Sequence, residues 1–81
     1  MNITFNRISN HLPFTQGQEY NNIFFSFQRK NNSELIFKND LENFYIKEYT
    51  LSIENEAFVV QGKSYTTDPE DSEEIKISIT R

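Results

Sequence analysis

The chain has 81 residues, net charge −4 at pH 7, no Cys and a single His. Without Cys there are no disulfides, thiolate metal sites or thiol nucleophiles, and no apolar run approaches membrane-spanning length. The acidity opposes contact with nucleic-acid phosphates and favours basic surfaces.

Eight Phe and four Tyr supply a dense core for one domain spanning residues 1–81, and disordered chains are poor in these residues. With two Gly and two Pro, most turns fall to Asn, Asp and Ser. The N-terminus is polar from Asn2 and lacks a basic region followed by an apolar run, so no signal peptide is expected. A small domain without disulfide staples is expected in a reducing, cytoplasmic setting.

Read in chain order, the hydrophobic period is mostly two, the signature of strands. Residues 2–8 read as a first strand with Ile3 and Phe5 on one face. Residues 10–22 read as a long connection broken by Pro13 and Gly17. Residues 23–29 form a second strand, with Ile23, Phe25 and Phe27 facing one way and Phe24, Ser26 and Gln28 the other. Asn31-Asn32-Ser33 is a turn into a short strand at 34–38, giving a hairpin. Residues 39–42 read as a turn or a single helical turn begun by an Asn or Asp cap; a packed helix over 39–49 is the alternative.

Residues 44–53 form a longer strand whose pattern changes phase. Phe44 and Ile46 share one face, and Leu51 and Ile53 the other, unless a bulge or bend near Lys47-Glu48-Tyr49 reconciles them. A strand serving two sheets would do the same. Glu54-Asn55-Glu56 is a tight turn into residues 57–61, and Gly62 allows a bulge before Tyr65. Residues 66–74 are an acidic loop. In the last strand, 75–80, Ile75, Ile77 and Ile79 oppose Lys76, Ser78 and Thr80. The expected fold is all-β, a small antiparallel barrel or sandwich of about six strands. The last strand, lying at the chain end, is expected at a sheet edge, either covered or paired with a second copy.

Few residues carry recognisable chemistry. His11, beside Asn10, Leu12 and Pro13, reads as an ordinary loop histidine, because a tetrahedral zinc site without Cys or a second His would need three carboxylates. No nucleophile elbow, phosphate loop, dinucleotide fingerprint or zincin helix is present. No catalytic residue, metal or cofactor is therefore expected. The densest feature is acidic: Asp68, Glu70, Asp71, Glu73 and Glu74. It lacks the Gly and spacing of a calcium loop, so it reads either as a solvated loop or as a negative patch for a basic groove. If Phe44 and Ile46 face inward, Tyr45 and Tyr49 point outward as interface anchors. Phe24 is the one Phe of its strand set against the core face.

These features point to a binding protein without catalysis. It would act stoichiometrically, as an inhibitor or immunity-type protein covering a basic surface on a nuclease, toxin or defence complex. Phage anti-defence proteins (anti-CRISPR and anti-restriction inhibitors) and antitoxins share this size and charge. Two other readings stand beside it. One is a single-strand nucleic-acid module stacking bases on Phe24 beside Arg29 and Lys30. The other is a structural protein assembling through edge strands.

Overall fold

The computed structural model describes residues 2–6, 14, 16–21 and 23–80. They form seven strands: β1 (Asn2–Asn6), β2 (Glu19–Asn21), β3 (Phe25–Asn31), β4 (Glu34–Asn39), β5 (Phe44–Glu54), β6 (Ala57–Tyr65) and β7 (Glu73–Thr80). All pair antiparallel in one sheet of order β2-β1-β7-β6-β5-β4-β3. No described residue is helical. The fold is all-β, as the alternation implies. His11, Pro13 and the end of the first expected strand lie outside the described residues.

The sheet must curl. Phe5 on β1 and Phe37 on β4 are four strand steps apart, about 19 Å in a flat sheet, yet their ring centroids lie 5.8 Å apart. β2 and β3 occupy opposite edges, about 29 Å apart if the sheet were flat. The chain from Asn21 to Phe25 can span at most about 14 Å. The result is a half-barrel whose inward face carries the core.

That core is Ile3, Phe5, Phe14, Phe37, Phe44, Ile46, Val60, Ile75 and Ile77. Phe37 is its hub, with Phe27 stacked at 5.0 Å and Phe44 edge-on at 5.0 Å. Phe14 stacks on Phe5 at 4.1 Å. Each such side chain contributes roughly 1.5–3 kcal/mol on full burial. Gly17, at φ 81°, makes a turn whose amide donates to the Phe5 carbonyl, tying the segment after Phe14 back to β1.

The phase change in β5 is resolved by a bulge. Lys47 pairs with Lys63 and Thr50 with Gln61, so Glu48 and Tyr49 together oppose Gly62. Glu48 takes φ 51° there. Gly62 is required because a Cβ would stand 2.8 Å from the Lys47 carbonyl oxygen and 2.9 Å from Ile46 Cγ2. The extra residue returns Leu51 and Ile53 to the inward face, opposite Val60 and Phe58.

One alternative falls and two expectations need correction. The residues after β4 form the expected turn and not a helix: the Asn39 side chain accepts from the amides of Leu41 and Glu42 at 2.7 and 2.9 Å and donates to the Glu42 carbonyl at 2.6 Å. This is capping chemistry completed by β5 instead of a helix. The long connection contains β2. The last strand is not at an edge: β7 lies between β1 and β6 and pairs with both. Both of its backbone edges are therefore paired, and the sheet edges are β2 and β3.

Candidate partner-binding surface

The acidic run divides between two structures. Residues 68–72 are a turn, in which Asp68 accepts from the Glu70 amide at 3.0 Å and its carbonyl accepts from Asp71 N at 3.0 Å. Lys47 Nζ donates to the Pro69 carbonyl at 2.5 Å, docking this turn on β5. Glu70 and Asp71 are exposed at its tip. Glu73 and Glu74 instead begin β7, opposite Ser64 and Lys63. The loop therefore carries fewer of the five carboxylates than the contiguous sequence implies.

The tyrosines also separate. Tyr45 lies on the outer face opposite Tyr65, with ring centroids 5.1 Å apart. Lys30, the bulged residue between Arg29 and Asn31 of β3, reaches over this pair. Its Nζ stands 4.3 Å from the Tyr45 centroid and donates to the Tyr65 hydroxyl at 2.8 Å. That hydroxyl donates to Glu34 Oε1, and Lys30 lies 3.8 Å from the same oxygen. The hydrogen bond to Tyr65 raises the Lys30 pKa, and the hydroxyl's donation lowers that of Glu34. Burial, followed by the bond to Glu34, raises that of Tyr65. A cation over an aromatic pair could be a recognition device, but here the protein's own lysine fills it. The cluster fastens the β3–β4 hairpin to β6.

Tyr49 does not point outward. The bulge turns it against the core cluster, which corrects its assignment as an outer anchor. Phe24 is 80% exposed, as its place in the alternation implies. Its amide reaches Asp40 Oδ2 at 3.4 Å.

The surface that sequence reasoning missed lies on the inward face. Phe25 and Phe27 of β3 line a cleft of about 650 Å³ together with Phe58 of β6 and Ile79 of β7, and Asn55, Glu56 and Thr80 complete its described lining. The alternation had placed Phe25 and Phe27 in the core. They are only half-buried because β3 is an edge and no described strand lies beyond it. The apolar surface continues onto Phe58, Leu51 and Ile53, which are 40%, 55% and 80% exposed. Exposed apolar residues of this size, grouped on one face, mark an interaction surface more often than scattered ones do. The visible signal was the bulge: once it is placed, Leu51 and Ile53 align with Phe58.

Among the described residues, the only ionisable side chain lining the cleft is Glu56, whose charge would favour neutral or cationic groups. Glu56 lies in the β5–β6 turn and the acidic tip in the β6–β7 loop, which are at opposite ends of the strands. One flat contact would not engage both. Among the described residues, no group of three or more His, Cys, Asp or Glu could hold a metal ion, and no helix is long and apolar enough to cross a membrane.

No protein family, curated protein or solved structure matches this chain.

Proposed function

We propose that this protein is an acidic binding protein that acts stoichiometrically on a macromolecular partner. In this reading it is an inhibitor or immunity-type protein of the kind that blocks a nuclease, toxin or defence complex. The observation that carries the reading is the open apolar cleft between Phe25, Phe27, Phe58 and Ile79, with Glu56 as the only ionisable lining group among the described residues. Such a cleft fits an apolar side chain flanked by a basic residue, the composition of a basic protein surface. The exposed Glu70 and Asp71 steer the approach of such a partner more than they add to final affinity.

The single-strand nucleic-acid reading draws less support. Phe25 and Phe27 face inward, and Lys30 is engaged by Tyr45, Tyr65 and Glu34. Phe24, just before β3, and Arg29 of β3 remain as exposed candidates.

The test is affinity capture from the encoding cell, with wild type and Phe58→Arg as parallel baits. Phe58 is partly exposed, so the charge is tolerated by the fold and placed at the cleft. A protein retained at fixed stoichiometry by wild type and lost with Phe58→Arg supports the reading. Equal retention by both baits, or binding of single-stranded DNA or RNA at physiological salt, would overturn it.

A further inference from the structure

β5 is longer than the strand beside it. Its pairing with β4 runs from Phe44 to Lys47 and stops. Its pairing with β6 continues through Thr50, Leu51, Ser52, Ile53 and Glu54. Along residues 50–54, then, β5 has a described neighbour on one side only, and among the described residues no strand pairs with its other edge. Leu51 and Ile53 in the same stretch are 55% and 80% exposed on the inward face.

The segment has no edge protection. Proteins blunt open edges with Lys, Pro or inward-pointing charge. The edge strand β3 carries Arg29 and Lys30, but residues 50–54, Thr-Leu-Ser-Ile-Glu, carry neither Lys nor Pro. Their one charge, Glu54, is on the outer face, 3.2 Å from Lys76.

The same five residues are self-complementary. Laid antiparallel against a copy about a two-fold axis through Ser52, the segment sets Ser52 opposite Ser52, Leu51 opposite Ile53, and Thr50 opposite Glu54. Both aliphatic pairs fall on the inward face, where cross-strand aliphatic contacts stabilise an antiparallel ladder. No like charges meet. A closed two-fold contact of this kind uses one patch twice.

We propose that residues 50–54 pair with the same residues of a second copy of this chain, joining two half-barrels into one continuous sheet. The contact adds a backbone ladder to β5 and covers Leu51 and Ile53. It stands on the strand geometry alone and does not depend on the partner-binding reading, whose cleft involves Phe25, Phe27 and Phe58.

The chain has no Cys, so single cysteines report the register directly. In the dimer, Ser52→Cys places two thiols on directly opposed residues, whose Cα atoms are about 4.5–5.5 Å apart in an antiparallel pair, within disulfide reach. Thr50→Cys places its thiol opposite Glu54, several residues from its own copy. Light scattering should give twice the monomer mass for wild type. Mild oxidation should cross-link Ser52→Cys at least tenfold more completely than Thr50→Cys. Ile53→Lys, an exposed change, should return the protein to monomer with its β circular-dichroism spectrum intact. A wild-type monomer at millimolar concentration would overturn the proposal. So would equal cross-linking of the two cysteine variants, or an Ile53→Lys protein that remains a dimer.

Discussion

Tyr65 is only 4% exposed, and its hydroxyl joins Lys30 to Glu34. The charge states of those partners make its contribution depend on pH. Glu34 has its pKa lowered by the Tyr65 bond, so its stabilisation is present above its ordinary value of 4.5 and is lost as pH falls through the lowered one. Tyr65 has its pKa raised by burial, so its contribution is present below the ordinary 10.0 and is lost as pH rises through the higher value. Tyr65→Phe is expected to cost roughly 1–2 kcal/mol at neutral pH. The gap from wild type should narrow on both the acid and alkaline sides. Urea titrations of both proteins across the range check this; a gap constant with pH would show that the hydroxyl makes neither bond. Nothing in the spacing of Lys30, Glu34, Tyr45 and Tyr65 reveals this cluster. It arises because three strand pairings bring four separate segments to one patch of the outer face.

Two backbone positions govern the elements. Asn55 and Glu56 form the β5–β6 turn at φ 49° and 68°, the double positive-φ turn that suits right-twisted hairpins and favours Asn followed by Gly. Asn fits the first position. Glu at the second carries a left-handed cost that Gly would not. Glu56→Gly should raise the urea midpoint by an amount equivalent to about 1 kcal/mol, and a fall would show that the Glu56 side chain contributes more than its backbone costs. Gly62 is the reverse case. With a backbone oxygen 2.8 Å from the Cβ position, the bulge cannot relax around a methyl. Gly62→Ala should cost about 1–3 kcal/mol, measured by the same titration. The alternation along β5 pointed to this bulge, because a phase change within one strand has few other physical solutions. The location of β7 was less legible. Strand order depends on which edges pair in space, and the isoleucine pattern of residues 75–80 is the same at a centre or an edge.

At the scale of the whole molecule, Phe37 contacts Phe5, Phe14, Phe25, Phe27 and Phe44 and so holds the curl closed. Phe37→Ala should cost about 3–5 kcal/mol, a large part of the stability of a domain this small. Loss of the cooperative thermal transition would report it. Neutralising the exposed tip with Glu70→Gln and Asp71→Asn should leave the fold unchanged. It should also flatten the salt dependence of association with a basic partner, since exposed charges act over about 8–10 Å at ordinary ionic strength. Unchanged rates at every salt concentration would leave the tip as a solvated surface only. Composition and the two-residue period were enough to determine an all-β, Phe-rich chain, its hairpin turns and the exposure of Phe24, and they marked the phase change in β5 that the structure resolves as a bulge. These depend on neighbours a few residues away, whose steric and hydrogen-bonding rules are local. Only the tertiary structure decided that β7 is central, that Tyr49 turns inward, and that Glu73 and Glu74 belong to a strand. It alone decided that Phe25 and Phe27 line an open cleft together with Phe58. Each of these follows from how far the sheet curls and where its ladders stop, which depend on pairings between segments distant in the chain.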